Sequence, residues 1–249
     1  MKKKVRLKKG VFVFLLLIFS SGIIFSGYKI VNWKLNTNKN KDIKDDINKN
    51  IKVDEGQKKV NNKYKVDFKK LKKMNADTVG YIKVNNTGVE YVVVKGKDND
   101  YYLNHNFNKE YNIAGWIFAD YRNQLDGSDK NTIIYGHNMK DNSMFGSLTK
   151  VLESNWQKDE ANQKILFITE RKAYYYQIFS TYMIEPEDYY ITTDFSSNDS
   201  YLKFLEIIKK RSNNDYQVEL NPNDRIITLS TCNATGSKRI VVHAKRISE

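Results

Sequence analysis

The chain has 249 residues, 40% of them apolar and 13% aromatic, which is enough for one sizeable folded domain with appendages. Its formal net charge of +13 is confined to the N-terminal end: residues 1–9 hold six Lys/Arg and no acids, and residues 34–73 hold fourteen Lys against six acids. Residues 74–249 are close to neutral, so the cationic patch that a nucleic-acid-binding domain needs is absent from the part expected to fold, and no nucleic-acid partner is expected.

Residues 1–10 form a basic segment containing Lys2, Lys3, Lys4, Arg6, Lys8 and Lys9. Residues 11–28, from Val11 to Tyr28, form an uncharged apolar run at the short end of what spans a bilayer as a helix. The run exceeds the usual apolar core of a signal peptide and lacks an A-x-A cleavage site, which favours a single uncleaved signal anchor over a cleaved leader. With the basic residues kept cytoplasmic, everything beyond about residue 30 lies outside the cell, and Tyr28 and Trp33 fall at the far interface. Residues 29–59 read as a stalk of Lys, Asn and Asp, partly disordered. Within it Ile43, Ile47 and Ile51 recur at helical spacing. Val60, Tyr64, Phe68, Leu71 and Met74 make a clearer helical stripe, expected to pack on the domain that follows and to open it at residue 60.

Eight strand-like runs then succeed one another: Val79–Val84, Val89–Val94, Trp116–Phe118, Thr132–Tyr135, Ile165–Thr169, Ala173–Met183, Arg225–Thr231 and Arg239–Ala244. Polar turns separate them, and the pattern predicts a mainly β fold closed or nearly closed into a barrel. Two helical patterns interrupt, Met144–Leu152 and Ser200–Arg211, the second with Leu202, Leu205 and Ile208 on one face. There is no glycine-rich phosphate loop and no Cys/His cluster with zinc-ligand spacing, so no metal and no cofactor are expected.

Cys232 is the single cysteine and ends the strand Arg225–Thr231. Outside the cell cysteines normally pair, and a single one forms no intramolecular disulfide. It is either a small buried apolar residue or a thiol retained for chemistry. The chemical reading needs partners. A thiol is only a few per cent ionised at neutral pH, so an imidazolium raises the thiolate fraction and can then protonate a leaving amine. His137, delivered into a loop by the apolar strand Thr132–Tyr135, is the first candidate; His105 and His243 follow. Arg239, after the turn cluster Asn233–Ser237, supplies charged donors for an oxyanion; alone it would pass for a surface charge.

Thr228-Leu229-Ser230-Thr231-Cys232 followed by Lys238-Arg239-Ile240-Val241-Val242 resembles the motif of sortases, in particular class B. Further stretches agree in order: Asp77–Ile82, Gly96–Asn104, Ile117–Asn123 and Thr132–His137 with Met144-Phe145. The resemblance runs from about residue 65 to the C-terminus. It implies an eight-stranded sortase-type β-barrel with an N-terminal helical extension and a helix in the long loop before the Cys232 strand. It implies a membrane-anchored cysteine transpeptidase that cleaves an NPxTx-like C-terminal sorting motif of secreted proteins and passes the acyl group to a peptidoglycan precursor amine. Carried over by position, Cys232 is the nucleophile, His137 the general acid/base and Arg239 the oxyanion or substrate donor. Asn99, Leu103, Tyr135, Tyr190, Ile191 and Ser230 fall at substrate-groove positions. The chain departs from the class pattern in a shorter loop between Cys232 and Arg239, in Asn233 where an acid can stand, in Pro186 where a threonine can line the groove, and in Tyr91-Val92, which lacks a proline.

Three other readings compete with the transpeptidase. A secreted cysteine hydrolase would use water as acceptor through the same acyl-enzyme. A membrane-tethered binding module would keep Cys232 for structure alone. An L,D-transpeptidase is disfavoured, because its histidine-to-SxGC pattern is missing around Cys232.

Overall fold

The computed structural model describes residues 8–53, 64–232 and 238–248, and the chain divides into two compact units, Met1–Lys39 and Asn40–Glu249. The turn cluster 233–237 and Val60 lie outside the described residues. Helix α1 (Lys9–Asn48) supplies nearly all of the described part of the first unit, and its apolar side chains from Val11 to Val31 are largely exposed. By length and composition it can cross a membrane.

The second unit begins with the last turns of α1. The segment expected as a partly disordered stalk is helical as far as Asn48, with Ile43 and Ile47 buried in the domain core. Buried Asn40 pairs with Asn112, whose amide donates back at 2.9 Å, and donates to the Gly115 carbonyl at 3.1 Å. The apolar spacing at 43 and 47 thus reports a real helix, but Ile51 leaves it. Ile51 opens β1 (Ile51–Val53), which pairs antiparallel with β2 (Tyr64–Val66). That pairing overrides the expected helical stripe at Tyr64. Helix α2 (Phe68–Met74) starts later, where the Asp67 side chain accepts from the Lys70 amide at 3.1 Å.

The barrel consists of β3 (Thr78–Val84), β4 (Glu90–Val94), β5 (Phe118–Ala119), β6 (Asn131–His137), β7 (Lys164–Ile168), β8 (Ala173–Ile184), β9 (Ile226–Cys232) and β10 (Arg239–Ser248). Its closed order is β10-β8-β7-β3-β4-β5-β6-β9, with β9 and β10 completing the ring. All pairs are antiparallel except β4 with β5 and β6 with β9. Each of the eight strand-like runs in the sequence therefore contributes one stave. The third is shorter than expected, because the Trp116 amide bonds outside the sheet, to the Tyr102 carbonyl. The segment Met144–Leu152 is a 3-10 helix over Gly146–Leu152, followed by the short α3 (Ser154–Gln157).

Helix α4 (Asn198–Lys210) lies in the long connection before β9. Ser197 and Ser200 cap its start reciprocally. Its buried face, Tyr201, Phe204, Leu205 and Ile208, forms a second apolar cluster with Phe179, Tyr182, Tyr190 and Val241. The larger cluster, with Ile82, Val92, Ile134, Leu229 and Val242, fills the barrel. The site described next sits where β6, β9 and β10 meet.

Candidate active site

Parallel pairing of β6 with β9 makes His137 and Cys232 register partners at the ends of their strands. β-branched and apolar residues upstream of each (Thr132 to Ile134 and Ile226 to Leu229) are buried, and that burial fixes the register. Two chain segments far apart in sequence therefore end side by side. β10 flanks β9 on its other side, with Val241 opposite Ser230. Arg239 Nη1 donates to the Thr231 carbonyl at 3.2 Å, and the Ile240 amide donates to Thr231 Oγ1 at 2.8 Å. The guanidinium is thus held against the peptide that leads into Cys232.

His137 is anchored at both ends. Its carbonyl accepts from the Met139 and Phe145 amides at 3.1 and 2.9 Å. Its Nε2 lies 2.7 Å from the Leu103 carbonyl. A carbonyl only accepts, so Nε2 carries the proton, and in the neutral ring Nδ1 is the basic nitrogen. Leu103 ends the 3-10 turn Tyr101–Leu103, and Gly115 packs directly beneath it at φ +55. A Cβ there would lie 2.3 Å from the Tyr102 oxygen and 2.6 Å from the Leu103 oxygen. Gly115→Ala is expected to lower stability by about 2–4 kcal/mol, read as a fall in Tm, and to reduce activity by moving the histidine's anchor.

The other histidines are otherwise engaged. His243 is fully buried on β10, with Tyr182 Oη 2.9 Å from Nε2 and Thr228 Oγ1 2.8 Å from Nδ1. Burial, with the Arg211 charge adding to it, pushes its pKa down to about 3, so it is a neutral structural residue. His105 stacks on Tyr101 at 4.0 Å between ring centroids, and its Nδ1 lies 2.8 Å from the Tyr101 carbonyl.

Four of the six positions implied as groove residues fall into two linked pairs. Ser230 and Tyr190 share a hydrogen bond of 3.0 Å between their hydroxyls. Leu103 meets the site through its carbonyl. Asn99 and Tyr135 both donate to Asp120 Oδ2, at 3.0 and 2.8 Å. Arg122 grips the same carboxylate with Nε at 2.8 Å and Nη2 at 2.7 Å, and Nη2 also donates to the Ile191 carbonyl at 3.0 Å. Asn131 at the start of β6 donates to the Tyr190 and Thr192 carbonyls at 3.3 and 3.0 Å. The short segment carrying Tyr190 and Ile191 is therefore held from two sides. Pro186 is exposed just beyond β8.

Asp120 and Arg122 went unassigned in the sequence, although they lie in one of its matching stretches. Burial of Asp120 would raise its pKa, but hydrogen bonds from Arg122 and Tyr135, with the Arg122 charge, hold it below the usual carboxylate range. A cleft of ≈ 500 Å³ opens beside this group, lined by Asn99, Tyr121, Arg122, Asp188, Ile191 and Thr192 among others. No cluster of His, Cys, Asp or Glu that could hold a metal occurs among the described residues. The arrangement therefore brings positions 137, 232 and 239 together at neighbouring ends of β6, β9 and β10, and a polar cleft opens beside Asn99 and Arg122.

The family model "Sortase domain" matches residues 82–247. Sortase B of Listeria monocytogenes is 37% identical over 239 residues, covering 94% of this chain and 96% of that protein. Sortase B of Staphylococcus aureus is 42% identical over 183 residues, covering 72% of this chain and 74% of that one. The crystal structure of sortase B from Bacillus anthracis in complex with AAEK1 aligns with a TM-score of 0.74 at 36% identity, covering 86% of this chain and 99% of that one.

Proposed function

The chain belongs to the sortase family, in class B, and is a cysteine transpeptidase; from that premise we propose the roles of its residues and its substrate. Cys232 is the nucleophile, His137 the general acid/base and Arg239 the donor to the oxyanion. The observation that carries this assignment is the pairing of His137 with Cys232 across β6 and β9.

The Cys232 thiolate attacks the carbonyl of the scissile peptide, and the carbonyl electrons move onto oxygen. Arg239, steadied by the Thr231 carbonyl, donates hydrogen bonds to that oxyanion. As the intermediate collapses, the carbon–nitrogen bond breaks and protonated His137 gives its proton to the leaving amine. A thioester remains. An incoming amine loses its proton to His137, attacks the thioester carbonyl and expels the Cys232 thiolate, so the enzyme returns to its starting state.

The substrate reading is an NPxTx-like motif near the C-terminus of a secreted protein, cut after its Thr, with a cell-wall amine as acceptor. Asn99, Leu103, Tyr135, Tyr190, Ile191 and Ser230 form the groove. Residues 11–28 of α1 anchor the enzyme in the cell membrane, with the basic N-terminal segment inside and the catalytic unit outside; the apolar exposed surface of that helix supports this. Incubating the enzyme with an NPxTx peptide, with and without an added amine, tests the reading. Cleavage after Thr with conversion to the amine adduct is expected. Hydrolysis indifferent to the amine would overturn transfer in favour of water as acceptor.

Arg239→Lys is expected to lower kcat about 10²-fold with little change in KM, because lysine keeps the charge but loses the planar fork that bonds Thr231 and the oxyanion together. Steady-state kinetics on the same peptide checks it.

A further inference from the structure

We propose that Asp120, acting with Arg122, is a positioning residue that fixes which way the Asn99 carboxamide faces, so that the adjoining cleft offers N–H donors to the side-chain carbonyl of the substrate's leading Asn. The proposal rests on the substrate reading above and adds a residue behind the groove.

Asn99 is oriented by two partners of opposite kind. Its Nδ2 donates to Asp120 Oδ2 at 3.0 Å, and its Oδ1 accepts from the Tyr121 amide at 3.1 Å. Turning the carboxamide over would set two oxygens against each other at Asp120 and two N–H groups against each other at Tyr121. One orientation survives, and in it the second Nδ2 proton is the group left for a ligand.

Arg122 is fixed in the same way. Two of its nitrogens are committed to Asp120, and Nη2 also reaches the Ile191 carbonyl. Asn99 and Arg122 both line the cleft. Asp120 itself is inaccessible to solvent and cannot touch a substrate. It is acceptor-only when ionised and collects donors from Asn99, Arg122 and Tyr135, three separate segments of chain. It therefore orients the donors of Asn99 and Arg122 without lining the cleft itself: these two residues suit a hydrogen-bond acceptor such as a carboxamide carbonyl, in a cleft whose lining also carries the Asp188 and Asp194 carboxylates.

Replacing Asp120 by Asn exchanges one acceptor oxygen for a donor among the donors of three residues, so at least one of these bonds must break. For a peptide Asn-Pro-x-Thr-x, Asp120→Asn is expected to raise KM about 10–100-fold with kcat changed by less than about 3-fold. The rate of Cys232 alkylation at fixed pH should stay that of wild type, since the nucleophile is untouched. The decisive readout is a double-mutant cycle with the peptide. Exchanging its first Asn for the similarly shaped Leu should cost wild type about 100-fold in kcat/KM but cost Asp120→Asn less than about 5-fold. Arg122→Lys, which keeps the charge but cannot reproduce the two-nitrogen grip on Asp120, should show the same non-additivity and carries the test if Asp120→Asn does not fold. Losses that multiply independently, or a variant KM equal to wild type, overturn the role of Asp120. Failure of wild type to cleave the parent peptide overturns the substrate reading instead.

Discussion

Cys232→Ala is expected to abolish transpeptidation and thioester formation, a loss of at least about 10⁴-fold, because alanine has no group that can form the covalent intermediate. Cys232 is the single cysteine in the chain, so no second thiol can substitute and no disulfide can be rearranged to expose one. Cys232→Ser is expected to be nearly as inactive, since a hydroxyl is far less ionised at neutral pH than a thiol and His137 has no preformed thiolate to stabilise. Mass spectrometry of enzyme mixed with an NPxTx peptide reads both: the wild-type protein gains the acyl mass on residue 232, and the variants gain nothing. A fully active alanine variant would sink the catalytic assignment and return Cys232 to a structural role.

His137→Ala is expected to lower kcat/KM by about 10³-fold, within the range for losing a general acid/base. The more informative variant is His137→Gln. Glutamine retains an N–H able to reach the Leu103 carbonyl, which His137 Nε2 meets at 2.7 Å, but it cannot take up or release a proton near neutral pH. If the histidine serves only to hold that loop, His137→Gln recovers most of the activity. If it moves protons, both variants are equally impaired, and the pH dependence of kcat/KM loses the limb that wild type shows. The rate of Cys232 alkylation at fixed pH adds an independent check: removing the imidazole is expected to slow it.

The barrel was legible because its staves are written in the alphabet of strands. Val79 to Val84, Ile165 to Ile168 and Arg239 to Ala244 are β-branched and aromatic runs between polar turns, and local pattern and global pairing agree there. Residues 34–48 misled because their composition is that of a solvated segment. The helix there is secured by three positions, Asn40, Ile43 and Ile47, against a domain whose surface cannot be seen in the sequence. Tyr64–Val66 misled for a related reason: its pairing partner is Ile51–Val53, and a non-local ladder outweighs a weak helical stripe. Among the candidate site residues, Cys232 and His137 stand out by residue type, whereas Arg239 alone would pass for a surface charge and gains its role from its neighbours in the motif. The Leu103 carbonyl could not, because a main-chain oxygen has no letter. Asp120 could not either. A buried carboxylate draws its meaning from donors at 99, 122 and 135, and only the folded chain brings those together.

The parallel pairing of β6 with β9 also has a temporal side. Between the two strands the chain must lay down β7, β8 and α4 before Cys232 can reach the place beside His137. Until then the thiol and the imidazole belong to unconnected ends of an open sheet. A chain still being synthesised, or one nicked and released anywhere between these strands, carries both groups without the juxtaposition that would join their chemistry. The His137–Cys232 register is thus a late contact, one that joins residues 95 positions apart and forms only once the chain between them has folded back, with β10 still to close the ring.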